Sequence, residues 1–298
     1  MALVQWVENS FEEVQNDDFF DKIALVAHNC YQVAEKDHLS NVGFVERLVS
    51  SGHRAMVEHQ RFLFEISPEL YAVVLRKNNP FLLLRKTKVD GKETCFLSLS
   101  VRPLLEDFAS DPDFDVIKAG FPSSIRAALF PNAVSDVPAK LVSPDAIRSL
   151  TGEKFYEDVR FVTYHLITDR GVTHELVRHR PCSFAQESTR YCNYTKDKFS
   201  KALTFMKPLR YEEFHEIYDH FYQACAEAYF ALIEQGAKPD EARSVLPNSL
   251  KASIMVTCSI TEWKHIFDLR CDEHAHPDIR RIMLLVQSDM KHKGYIAQ

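Results

Sequence analysis

The segment Arg178-His179-Arg180-Pro181-Cys182-Ser183-Phe184-Ala185-Gln186-Glu187-Ser188-Thr189-Arg190-Tyr191 crowds three cationic or cationisable side chains ahead of a proline and follows them with Ser-x-Arg. Like charges repel, so folding alone gives little reason to gather them. An anion with several oxygens gives one: the guanidinium fork matches phosphate geometry, and hydroxyls and backbone N–H groups complete a cradle. A purely structural reading competes. Val172–Val177 reads as a helix that Pro181 ends near Arg180. Cations in a last turn complement the macrodipole, and Glu175 is spaced to pair with Arg178 or His179. A helix turns about 100° per residue, so the three side chains point three ways. Ser188 and Arg190, two apart in an extended loop, would share a side.

Three further groups carry possible chemistry: Gly52-His53-Arg54-Ala55-Met56-Val57-Glu58-His59, Ala242-Arg243-Ser244-Val245-Leu246-Pro247, and Leu269-Arg270-Cys271-Asp272-Glu273-His274-Ala275. His53, Glu58 and His59 suit a metal, but no third patch at ligand spacing accompanies them. Cys271, His274 and His276 are the other possible metal set, and the reading adopted is no metal. Cys182 and Ser188 invite a nucleophile reading, yet no general base can be placed beside either. Alone, Arg243 is a surface arginine near a helix start at Pro239-Asp240. Arg270 ends a helix whose Phe267 and Leu269 are expected to pack inward, so it should be partly enclosed and in need of a partner.

Together these four groups, in this order, resemble the flavin-dependent thymidylate synthases (the ThyX family): Arg-His-Arg, seven residues, then Ser is that family's signature. The resemblance covers about the first 65 residues and then about 160 to 290. It implies an α+β fold, a central antiparallel sheet flanked by helices, with a hairpin-containing insertion at about 67–158 interrupting one domain of residues 1–298. It implies methylation of deoxyuridylate (dUMP) to thymidylate (dTMP), with methylenetetrahydrofolate as carbon donor, FAD as redox carrier and NADPH as hydride source. The implied substrate residues are Glu175, Arg178, Gln186, Glu187, Ser188, Thr189, Arg190, Arg243 and Arg270, the last activating the uracil ring. The implied flavin residues are His53, Ala55, Glu58, Arg178, His179, Arg180, Gln186, Ser259, Thr261, His265 and His274. Ala55 stands where the family usually has a hydroxyl, and Ser259 and Thr261 where some members have Asn and Arg. The resemblance also implies a homotetramer with shared sites. The rival readings are a phosphate- or RNA-binding protein without catalysis and a flavin-binding relative without turnover.

Composition bounds these readings. Lys+Arg 36 against Asp+Glu 42 gives a net charge of −6, against broad nucleic-acid binding. Seven scattered cysteines and no signal-peptide pattern fit a reducing cytoplasm. No apolar run is long enough to span a bilayer. With 8 glycines and no Gly-x-Gly-x-x-Gly, a flavin would be held without a Rossmann fingerprint.

The elements that must position these residues follow from periodicity and breakers. Helices are expected at Asp18–His28 and Asn41–Val49, the latter stopped by Ser51-Gly52, and strands at Arg61–Ile66 and Val159–Thr168. Phe81–Val89 and Lys92–Val101 flank Asp90-Gly91, a hairpin signal. Arg102–Ala109 reads as a short helix, the stretch to Asp145 as mostly loop, and the insertion as an extension of the sheet serving packing. Tyr211–Gln235 reads as one long helix closed by Gly236. Ser249–Cys258, Thr261–Leu269 and Pro277–Lys291 read as further helices.

Overall fold

A computed structural model describes residues 3–34 and 36–297. The chain opens with strands β1 (Val4–Val7) and β2 (Ser10–Glu13), then helices α1 (Phe19–Tyr31) and α2 (His38–Ser50). The middle holds β3 (Phe62–Ile66), α3 (Pro68–Lys77), β4 (Leu83–Val89), β5 (Lys92–Leu99), α4 (Arg102–Leu105), α5 (Asp115–Ala119), α6 (Ser123–Leu129), β6 (Lys140–Val142), α7 (Pro144–Thr151) and α8 (Glu153–Val159). The last part holds β7 (Phe161–Asp169), α9 (Arg170–Leu176), β8 (Ser183–Gln186), β9 (Leu203–Met206), α10 (Tyr211–Glu234), α11 (Pro239–Ala242), β10 (Lys251–Ser259), α12 (Ile260–Arg270) and α13 (Pro277–His292).

Local chemistry sets the ends that matter. The Asp18 carboxylate accepts from the backbone N–H groups of Phe20 and Asp21 and starts α1. Gly52 takes φ 88° just past α2, a turn that delivers the His53 loop. Gly236, at φ 98°, closes α10.

The fold is α+β, built on two four-stranded antiparallel sheets ordered β2-β7-β10-β8 and β4-β5-β3-β6, with a parallel pair β1-β9 beside them. The inserted stretch therefore does not extend the sheet that carries the signature. It joins β3 in a sheet of its own. Nor is its later part mostly loop: α5, α6, β6 and α7 occupy it.

The segment expected as a helix at Ser249–Cys258 is strand β10, central in the first sheet. Its run Ala252–Cys258 is buried on both faces, so no alternation reveals the strand. Ile254, Val256 and Cys258 join Trp263, Phe267, Ile282 and Val286 beneath α12 and α13. Met255, on the other face, meets Val26 and Ala185 under α1.

Candidate functional site

The sheet β2-β7-β10-β8 ends in the site. The β7 backbone passes straight into α9, whose N-cap is Asp169. That helix stops at Leu176, earlier than expected, and Arg178 to Arg180 lie in turns. In consequence Arg178 and Arg180 are exposed while His179 is buried between them. The strand β8 then pairs with β10, with Ile254 opposite Gln186. Ser188 and Arg190 sit in a tight turn closed by Cys192 N–H donating to the Ser188 carbonyl at 2.9 Å. They are not in an extended loop, so the same-side argument does not apply.

Arg270, at the end of α12, is brought to the signature segment. Its Nη1 donates to Glu175 Oε2 at 2.7 Å, its Nη2 to the Glu175 carbonyl at 3.2 Å, and its Nε to His179 Nε2 at 3.2 Å. The partner that an enclosed arginine requires is thus Glu175, from another element, and not Asp272 or Glu273. Leu269 points outward at 50% exposure, and only Phe267 packs inward as expected.

Arg270 also bears on the state of His179. Burial first, then the Arg270 and His265 charges, push that imidazole down to about 4. It is neutral at pH 7, and Nε2, which accepts from Arg270, carries no proton. The proton is on Nδ1, which faces Glu262 at 3.6 Å. His179, Glu262 and His265 are close enough to surround a cation. An ion on Nδ1 would have to strip that proton while Arg270 holds the other nitrogen, leaving an imidazolate beside a guanidinium. The geometry favours a proton over a metal there.

Glu58 is the second junction. Its carboxylate takes Arg102 Nη1 on one oxygen and Ser183 Oγ, at 3.3 Å, on the other. Its neighbour His59 is fully buried, bonds Thr257 Oγ1 at 2.7 Å, and is pushed down to about 3 mainly by burial. His53 and Ala55 are exposed beside them.

Several expected ligand residues are already engaged within the chain. Glu187 receives Lys251 Nζ at 2.5 Å and Tyr194 OH at 2.9 Å, with its side chain 1% exposed. Gln186 donates to Thr173 Oγ1 at 3.1 Å. The Ser259 hydroxyl caps α12, and Thr261 Oγ1 donates to Asp158 at 2.7 Å. Thr189 is buried. His274 is exposed and tied to Asp272 at 2.8 Å, away from the junctions above, and His265 is an exposed neighbour of His179 with ring centroids 5.9 Å apart. Arg178, Arg180, Arg190 and Arg243 are exposed and have no carboxylate partner among the described residues.

The sequence reading missed Arg102, Ser183 and Glu262. Glu262 had a signal: Ser259-x-x-Glu262 is a helix-start pattern, and the Ser259 hydroxyl does accept from the Glu262 N–H. Nothing in one sequence places Arg102 beside Glu58. A cavity of about 1270 Å³ lies elsewhere, lined by Glu12, Asn29, His165 and Ser253 among others, and none of the motif residues borders it.

Comparison with known proteins agrees with these residues. The family described as "Thymidylate synthase complementing protein" (Thy1) matches residues 150–293. The flavin-dependent thymidylate synthase of Geobacter sulfurreducens is 36% identical over 150 residues, covering 50% of this chain and 63% of that protein. That of Pyrococcus furiosus is 34% identical over 124 residues, covering 41% of this chain and 50% of that protein. The chain thus spans between half and just under two thirds of these relatives' length. A solved UMP/dUMP methylase, PolB from Streptomyces cacaoi, aligns at TM-score 0.41 and 20% identity over 50% of this chain and 76% of that one, too distant a likeness to argue from. The signature, the order of the motifs and the matched relatives agree: residues 150–293 of this chain are similar to the flavin-dependent thymidylate synthases.

Proposed function

We propose that this protein methylates dUMP to dTMP, with methylenetetrahydrofolate as carbon donor, FAD as redox carrier and NADPH as reductant. One observation carries the reading. Arg178, Arg180, Arg190 and Arg243, all at motif positions, are exposed cations without carboxylate partners among the described residues, whereas Arg270, also at a motif position, is paired with Glu175. Unpaired guanidinium groups suit phosphates, of which both dUMP and FAD bring some.

The residues fit the phosphate-bearing part of a flavin through Arg178 and Arg180. They fit its ring less fully, since Ala55 has no hydroxyl and those of Ser259 and Thr261 are engaged. When bound, the flavin supplies the electron transfer. The chain supplies orientation and charge. A guanidinium has five N–H donors, and the Arg270 bonds to Glu175 and His179 use three, leaving one each on Nη1 and Nη2. Those two remain to donate to uracil, to a carbonyl oxygen or to a ring nitrogen that has lost its proton. They would stabilise the negative charge that makes the ring carbon nucleophilic. Neutral His179 holds Nε without adding a second positive charge.

The homotetramer belongs to the same proposal. Phe214, Ile217, Phe221 and Leu232 are exposed along α10, a surface suited to another copy. Cytoplasmic location is proposed with it: seven cysteines are free. Among the described residues no helix is long and apolar enough to cross a membrane.

A flavin-binding relative without turnover is the second reading, favoured by Ala55 and the engaged Thr261. The test is direct. Purified protein should be yellow, release FAD on denaturation, bleach with NADPH, and convert dUMP to dTMP when folate is added. Protein that neither carries nor takes up FAD contradicts both readings. Bleaching without dTMP formation selects the second.

A further inference from the structure

We infer that Arg102, in the inserted stretch, is a positioning residue for Glu58 and for the loop that carries His53. This deepens the flavin-site reading and rests on it for its functional consequence.

The loop from Gly52 to His59 is held from two sides. On one, His59 is buried and bonded to Thr257 of β10. On the other, the inserted stretch grips it twice. Arg54 Nη1 donates to the Leu105 carbonyl at 2.8 Å, and Arg102 Nη1 donates to Glu58 Oε1. Both grips come from α4, so one short helix spans the loop. That helix is a firm support: Val101 and Leu104 beside the gripping residues are 0% and 1% exposed and belong to the main apolar core. Arg102 is itself oriented, with Nε on Glu106 at 2.9 Å. The pair is partly enclosed, with side-chain exposures of 31% for Arg102 and 18% for Glu58, so it is less screened than a surface pair.

The second Glu58 oxygen accepts from Ser183, three residues beyond Arg180. The inserted stretch is therefore linked to the signature segment through one carboxylate. Arg102 does two things there. It fixes the rotamer of Glu58, and it pairs a carboxylate that Ser183 alone would otherwise hold. Without that pairing, the loop with the implied flavin residues His53, Ala55 and Glu58 loses one of its two anchors on α4.

The test uses the full chain as wild type, Arg102→Met, Arg102→Lys and Arg54→Met. FAD and dUMP are each titrated at equilibrium, and amide hydrogen exchange is followed across residues 53–58, with thermal melting as the control for folding. In Arg102→Met, FAD binding should weaken about tenfold or more, the size of one lost charge-assisted contact, while dUMP affinity stays within about twofold. Exchange across 53–58 should accelerate. Arg102→Lys should recover most of both, and Arg54→Met should show the same pattern more weakly. A merely structural arginine would lower the melting temperature without separating FAD from dUMP. Folded Arg102→Met with wild-type FAD affinity and wild-type exchange overturns the inference. If wild type takes up no FAD, the flavin reading has failed, and exchange alone then decides: unchanged protection in Arg102→Met overturns the brace, and lost protection supports it. If Arg102→Met does not fold, Arg54→Met decides on the same two measurements.

Discussion

The two four-stranded sheets bury their polar groups very differently. In β4-β5-β3-β6, strand β5 hides Cys95, Leu97 and Leu99 against the α1 and α3 side and Phe96 against Phe155 and Val159. Its charges, such as Lys86 and Lys88 of β4, stay at the surface. In β2-β7-β10-β8 one face is equally apolar, but the other buries Thr163, Ser253, Thr257 and, against them, His59. Burying such groups is unfavourable unless each is bonded. Here His59, Thr257 and Thr163 form one chain, and His165, Ser253 and Asn29 another. The sheet β2-β7-β10-β8 thus gives up apolar burial for fixed orientation, and the residues of the candidate site hang from its ends. The elements around β4-β5-β3-β6 reach them at the seams, through Arg102 on Glu58, the Leu105 carbonyl on Arg54, and Asp158, held by Arg85, on Thr261.

The sharpest way to break this contrast is Arg270→Lys. Lysine keeps the charge but has no fork, so it cannot hold Glu175 and His179 while presenting two further donors. Single-turnover methylation should fall about a hundredfold or more, as for removal of one preorganised charge-stabilising contact. FAD content should barely move. An unaltered rate in this variant removes Arg270 from the mechanism and leaves its bond to Glu175 purely architectural.

Arg190→Met and Arg243→Met come next. Each side chain is exposed and without a carboxylate partner among the described residues, so neither substitution should unfold the chain. Loss of a charge-assisted phosphate contact of about 1.5–3 kcal/mol weakens dUMP binding about ten- to a hundredfold. FAD binding should suffer less. Equal losses for both ligands in equilibrium titrations would reverse the assignment of these two arginines to the substrate.

How far the sequence reaches follows the same division. The signature half was legible because Arg, His and Ser at fixed spacing are rare enough to identify, and because Pro181, Gly52 and Gly236 punctuate it. Arg270 and His179 were marked as site residues there, but their bond across α12 and the signature turn was not, since 91 residues separate them. The strand β10 was misread as helix because full burial on both faces erases alternation. The insertion was legible at the Asp90-Gly91 hairpin and at the short helix that begins at Arg102. Its other helices are short, and its contact with Glu58 arises from tertiary packing that no local pattern encodes.

Stability against pH separates the two sheets without reference to catalysis. His59 is held down at about 3 and His179 at about 4, each chiefly by burial, against an ordinary imidazole near 6.5. The unfolded chain therefore binds protons at these groups that the folded chain refuses. Their contribution is complete above pH 6.5 and is lost as pH falls towards 4, at about 1.4 kcal/mol per pH unit for each group at most. Urea unfolding from pH 7 to 4.5 should show this decline, and His59→Gln should flatten it. An identical slope in that variant would show that His59 is already protonated in the folded protein.

The hairpin tip gives the smallest expected effect on chemistry. Asp90 and Gly91 hold φ of 49° and 79°, the left-handed pair that a two-residue hairpin requires. A methyl group on Gly91 would meet nothing within 4 Å, so the cost of Gly91→Ala is backbone strain alone. The double variant Asp90→Ala with Gly91→Ala should lose about 1–2 kcal/mol of stability from the two strained positions. The tip is separated from Arg102 by the whole of β5, whose register with β3, Cys95 opposite Ile66 through Leu99 opposite Phe62, is secured by buried side chains. Strain at the tip should therefore fray the hairpin end without shifting α4. FAD content and turnover per folded molecule should equal wild type, in contrast to Arg102→Met within the same inserted stretch. Equal damage from both variants, in protein that stays folded, would mean that the insertion acts on the site as one rigid body and not through its seam.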